Sequence, residues 1–186
     1  MLYVPALTQA YKEFIALQWR TGSSGAEKCL FLIYPPSEER RVRGQLAGFD
    51  AATTEGHHNW IVCELTDAFP EWMAAHEYAQ SYFEEPELLE SALDGFLEHT
   101  ADLLLAVLDS PEADENSVVA VCGIASLFGL IRNSSLITKV EGHIRGRLAV
   151  FFPGEYHDAQ YALLGVKHGW NYHAVPIKPS EMTLSC

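Results

Sequence analysis

No lysine or arginine occurs between Gly44 and Ile131, nearly half of a 186-residue chain that holds twelve such residues in all. The same segment carries 17 acidic residues, Asp50, Glu55 and fifteen from Glu64 to Glu115, so its formal charge is −17. Each flank is +2, which leaves −13 for the whole chain. A field of that sign repels a phosphate backbone, and nucleic-acid affinity rests largely on phosphate contacts, so direct nucleic-acid binding is disfavoured. No apolar run approaches the ~18 residues that a membrane span requires, and no membrane partner is expected. The opening MLYVPALTQAYKEF lacks a basic region, an apolar run and a small-residue cleavage site, so the expected location is cytoplasmic.

Catalytic and cofactor signatures are missing as well. The four cysteines include no CxxC pair. Cys29, Cys63 and Cys122 sit inside apolar runs and are expected to be buried thiols, with Cys186 apart from them. A phosphate loop needs GxxxxGK[ST], and GIASLFG (Gly123 to Gly129) offers the glycines without the lysine. Neither GxGxxG nor GxSxG is present. Ser126, Asp67 and His157 make a triad only on paper, since any chain this long holds such a trio by chance. There is no HExxH, and Glu155, His157 and Asp158 are explained more simply as a polar surface loop than as a cation site. No catalytic residue is assigned, and no metal or other cofactor is expected.

What is present is an ordinary globular composition, 48% hydrophobic and 20% charged. A chain of this length supports one core, so residues 1–186 are expected to form a single domain, with 1–25 as an N-terminal helix and linker and 178–186 as a tail. Apolar runs at Lys28–Tyr34, Trp60–Leu65, Val118–Cys122, Leu148–Phe152 and Tyr172–Ile177 predict five strands. Helical spacing predicts helices over about Leu7–Trp19, Ser37–Thr54, Pro86–Asp109 and Ser134–Ile144, and a further helix opens at Asp67 with Pro70 in its first turn. In the third of these, Leu89, Leu93, Phe96, Leu97, Thr100 and Leu104 face inward and most of the acidic residues do not. Apolar strands separated by helices indicate a mostly parallel sheet covered on both faces. The expected fold class is therefore α/β, a three-layer sandwich of about five strands, Rossmann-like or degenerate P-loop-like in outline but without an intact nucleotide motif.

Ligands of such sheets gather at the carboxyl ends of the strands. Those ends hold Pro35, Pro36 and Ser37; Thr66 and Asp67; Gly123, Ala125 and Ser126; and Pro153, Gly154 and Glu155, which form no known catalytic set. The sharper signal is aromatic. In AFPEWMAAHEYAQSYF (Ala68 to Phe83), Phe69, Trp72 and Met73 form a core stripe. Tyr78, Tyr82 and Phe83 come where the helix gives way and are expected to be partly exposed, as residues that favour protein interfaces are. Tyr78, Tyr82, Phe83, Pro153, Gly154, Glu155, Tyr156, Trp170, Asn171 and Tyr172 are thus the partner-binding candidates, with core packing the competing role. Arg40, Arg41, Arg132, Arg145 and Arg147 are weaker candidates for a phosphate-binding patch, against pairing with the acidic segment or plain solvation.

Taken in order, SEERR, LTDAFPEWMAAHEY, SYFEEPELLE, VVAVCGIASLFG, GRLAVFFPGEY and GWNYHAVPI resemble the BrxB family of bacterial BREX phage-exclusion systems. The resemblance runs over nearly the whole chain. It implies a role in phage defence within a multi-protein assembly that includes a methyltransferase, a large ATPase and the phosphatase-like PglZ protein. An accessory or scaffolding subunit is implied, with a PglZ-like protein and other BREX components as partners. The alternative is a nucleotide- or nucleic-acid-acting enzyme with an unrecognised site at the strand ends, using Asp67 or Glu155 as acid or base.

Overall fold

The computed structural model describes residues 3–20, 22–157, 160–170 and 172–179, with 167–170 described as backbone. Its centre is a parallel sheet built from β1 (Cys29–Tyr34), β2 (Asn59–Glu64), β3 (Ser117–Cys122), β4 (Arg147–His157) and β7 (Val175–Ile177), in the order β2-β3-β4-β1-β7. Two short strands, β5 (Gln160–Leu163) and β6 (Val166–Trp170), extend the far end of β4 as an antiparallel hairpin.

Successive side chains of a strand point to opposite faces, and both faces here are apolar. On one face Cys29, Phe31 and Ile33 of β1 join Val119, Val121, Leu148, Val150 and Phe152. They pack under α5 (Ala68–Ala75), α7 (Leu93–Leu108), α8 (Asn133–Val140) and the hairpin. On the other, Leu30, Leu32 and Tyr34 join Val118, Ala120, Ala149 and Phe151 beneath α1 (Tyr3–Ile15), α3 (Glu39–Gly44) and α4 (Leu46–Glu55). Helices on both faces of a mostly parallel sheet are the expected three-layer α/β architecture. From β1 the chain crosses to the far edge at β2 by way of α3 and α4, then returns through β3 and β4 by way of the opposite helices.

The helices follow from spacing and are limited by local chemistry. In α1, Val4, Leu7, Tyr11 and Ile15 recur at three- and four-residue intervals and are all buried. The Tyr11 hydroxyl lies 2.7 Å from Thr53 Oγ1 of α4, tying the two helices inside their shared core. A capping box between Ser24 and Glu27 opens the short α2 (Gly25–Lys28), which runs straight into β1. Pro35 and Pro36 end β1.

Several boundaries differ from expectation. The helix predicted over Ser37–Thr54 is a 3-10 turn (Pro36–Glu38) followed by α3 and α4, which break at Gln45 between Gly44 and Gly48. Ser37 lies inside that turn and does not cap it. The helix predicted from Pro86 is a 3-10 segment to Ala92, and α-helix begins only at Leu93. A further short helix, α6 (Ala79–Glu84), stands between α5 and that segment. The largest difference is at β4, predicted to end at Phe152. It continues through Pro153 and Gly154 to His157 because β5 takes over its hydrogen bonding where β1 stops, Tyr34 pairing with Pro153 and Leu163 with Gly154. The turn joining β5 to β6 places Leu164 and Gly165 at φ 51° and 79°, the signs that a tight hairpin turn requires.

Candidate functional site: a locked polar edge and an exposed aromatic helix

The parallel strands end together, and their carboxyl edge is bridged by a polar network centred on Arg43 of α3. Its guanidinium binds the Glu64 carboxylate at the end of β2 with two bonds, 3.1 Å to Oε2 and 3.0 Å to Oε1. Arg43 also donates to Glu39 Oε1 at 3.0 Å, and the Tyr34 hydroxyl donates to Glu39 Oε2 at 2.6 Å. Thr66 closes the set: its hydroxyl accepts from Arg43 and donates to Glu64, and its backbone N–H donates to Glu64 at 3.0 Å. Gly123, after β3, abuts this cluster at φ 82°, and a side chain there would strike Thr66 and Glu64.

Electrostatics fix the protonation states of this edge. Burial raises the Glu64 carboxyl, but bonds from Arg43 and Thr66 outweigh it and hold it below the usual carboxylate range. Arg43 is raised, first by Glu64. Burial, then the bond to Glu39, raises the Tyr34 phenol. A carboxylate held ionised by a bidentate arginine is a poor general base, because each of its oxygens is already occupied.

The cysteines and Ser126 are held as well. Burial pushes the Cys63 thiol up to about 11 and Cys122 to about 12, and it raises Cys29 further, so none is a thiolate at neutral pH. The Ser126 hydroxyl shares its one hydrogen between the carbonyls of Gly123 and Leu65, at 2.7 and 3.1 Å, and among the described residues it bonds to no base. His157 stands 3.6 Å from Glu155, and Asp158 lies outside the described residues. Among the described residues no group of three or more His, Cys, Asp or Glu is placed to hold a metal ion.

The partner-binding candidates separate by position. On and beside α6, Phe83 is 75% exposed and Tyr78 55%, with Leu88 of the following 3-10 segment also exposed and Tyr82 half-buried. Phe69 and Trp72 pack on the core from α5, and Met73 is buried. Pro153 and Gly154 are buried within β4, and a side chain on Gly154 would meet the Ala162 carbonyl, which removes both from any surface. Glu155 is exposed. Tyr156 packs its ring 4.6 Å from that of Tyr161, and the Tyr172 hydroxyl donates to Glu141 at 2.8 Å, so both are half-buried supports of the hairpin side. The Trp170 side chain and Asn171 lie outside the described residues.

The five candidate arginines do not converge. Arg40 and Arg41 belong to α3 at the carboxyl edge, where Arg41 pairs with Glu38. Arg132 precedes α8 and lines a groove of about 390 Å³ with Phe128, Leu163 and Val166. Arg145 and Arg147 lie at the amino end of β4, the opposite edge of a parallel sheet. The Arg43–Glu64–Thr66 network escaped the sequence reading, though a glutamate closing the apolar run Trp60 to Leu65 and the four-residue spacing of Glu39 and Arg43 were its visible traces.

A search of curated proteins and one of solved structures each return no match. A family model does match, described as BREX protein BrxB, over residues 65–177, more than half of the chain. The matched part contains β3, β4, the hairpin and β7, yet β1, from outside it, pairs with both β4 and β7, so the matched residues share their sheet with the N-terminal ones. The chain belongs to the BrxB family and is thus a component of a BREX phage-exclusion defence system.

Proposed function

We propose that this BREX component works by protein–protein interaction, docking on a PglZ-like partner through the acidic, aromatic surface of α6 and the segment that follows it. The observation that carries the reading is the exposure of Phe83, Tyr78 and Leu88 together, inside a stretch free of lysine and arginine. Exposed aromatic side chains supply large contact area at low entropic cost and anchor interfaces. The surrounding carboxylates select a partner with a basic surface and speed encounter more than they add affinity. The pairing of Arg43 with Glu64 and Glu39 at the carboxyl edge supports the same reading, since these charges satisfy one another.

The test is co-purification of this chain with the PglZ-like protein and with each other BREX component, repeated with Tyr78→Ala plus Phe83→Ala. The expected result is capture of the PglZ-like protein by the native chain, weakened by added salt and lost in the double variant at unchanged thermal stability. Undiminished, salt-insensitive capture by the folded double variant would remove α6 as the docking surface.

A further inference from the structure

At the amino edge of the sheet, opposite the Arg43 network, a cavity of about 710 Å³ opens between the end of α1 and the starts of the strands. Four cations line it, Arg20, Lys28, Arg145 and Arg147, against one carboxylate, Glu115. A third of the chain's twelve basic residues therefore meet in one place in a strongly acidic protein. Among the described residues none of the four forms an ion pair. Glu27 is near enough to act on Arg20 and Arg147 through space, without bonding to either.

The four differ in how they are held. Lys28 donates to the Ile144 carbonyl at 2.8 Å, and Arg145 to the carbonyls of Leu108 and Ser110. Those bonds orient the side chains and leave the charges uncancelled. Arg20 is exposed. Arg147 is only 8% exposed, and its Nε has no hydrogen-bond partner among the described residues. Its guanidinium lies 4.6 Å from the centre of the Trp19 ring, and Trp19 itself stacks on His58 at 3.8 Å. Burying an arginine without a carboxylate is costly unless something else satisfies it, and burial draws its pKa down. A cation–π contact offsets part of that cost, but it does not neutralise the site.

We propose that this cavity binds a phosphorylated small molecule of nucleotide size, its phosphates held by Arg20, Lys28, Arg145 and Arg147. Guanidinium groups match phosphate oxygens geometrically. The volume falls within the range of small-molecule sites. An excess of positive charge suits a di- or triphosphate better than a single carboxylate. The site opens to solvent from a chain whose net charge is −13, so it suits a small anion while the surrounding field disfavours a nucleic-acid backbone. It lies at the opposite end of the sheet from the region where α/β folds usually place ligands, so the missing phosphate loop has no bearing on it.

The probes are inorganic pyrophosphate, ADP and adenosine, titrated calorimetrically into the full chain. Pyrophosphate and ADP are expected to bind at one site, with adenosine silent. ADP tighter than pyrophosphate would show that the nucleoside also contributes, whereas equal affinities would assign the site to the phosphates alone. Because Arg147→Leu alters a buried residue, the deciding variant is the exposed Arg20→Glu, with Arg147→Lys as the conservative partner. Reversing the Arg20 charge is expected to weaken pyrophosphate binding by about tenfold or more without changing thermal stability. Silence of the folded native chain towards both phosphates, or equal binding by folded Arg20→Glu, overturns the proposal.

Discussion

Arg43 grips Glu64 through two parallel hydrogen bonds of 3.1 and 3.0 Å, joining residues 21 positions apart across the carboxyl edge. This contact ties α3, which leaves β1 on one face of the sheet, to β2 at its far edge. It adds to the hold that the buried Val42 and the Tyr34–Glu39 bond already give α3 over the strand ends.

Replacing Glu64 with Gln is expected to cost about 1 kcal/mol at neutral pH, a figure already reduced because both partners are partly exposed. The folded-state pKa of Glu64 is depressed. Its stabilisation is therefore present above the ordinary glutamate value of about 4.3 and is lost as pH falls through the lower folded value. Urea denaturation at neutral and acidic pH checks this: the gap between native and Glu64→Gln chains should close on acidification, and a pH-independent gap would contradict it.

A sharper effect is expected at Gly123. Alanine there would carry a Cβ into Thr66 and Glu64 at φ 82°, combining left-handed strain with overpacking. Gly123→Ala should lose about 2–4 kcal/mol, seen as a lowered denaturation midpoint. A loss within a few tenths would show that the edge relaxes freely.

The three described thiols should be inert in the folded chain. In a Cys186→Ser background, a thiol-specific disulfide reagent at about pH 8, near the ordinary cysteine pKa, should label none of Cys29, Cys63 and Cys122 quickly and all of them in denaturant. All three are buried and held as thiols by desolvation. Rapid native labelling of Cys63, on the edge strand β2, would reveal local opening there.

The sheet was legible because burial on both faces leaves continuous apolar runs: Cys29 to Tyr34 and Ser117 to Cys122 are buried throughout. The core stripe of α7 was legible for the same reason, its inward positions recurring at helical spacing. The hairpin was not. Its strands are short, and its turn is Leu164–Gly165, whose leucine carries none of the turn preference of asparagine or aspartate. Pro153 and Gly154 read as loop because their strand character depends on Tyr34 of β1 and Leu163 of β5, partners available only after folding. The break at Gln45 was likewise hidden, since Val42, Leu46 and Phe49 fit one helical face whether or not the backbone is continuous.

The order of apolar runs and helical stripes in this sequence determined by itself the α/β class, the two-sided burial and the acidic helical surface, because each depends on local period and composition. The six motifs quoted from it also carried the BrxB resemblance. Only the tertiary structure decided which charges meet. Arg43 and Glu64 cancel at one end of the sheet, while Arg20, Lys28, Arg145 and Arg147 gather uncancelled at the other. Charges far apart in the chain are brought within reach by strand order and crossover path, and a one-dimensional pattern encodes neither.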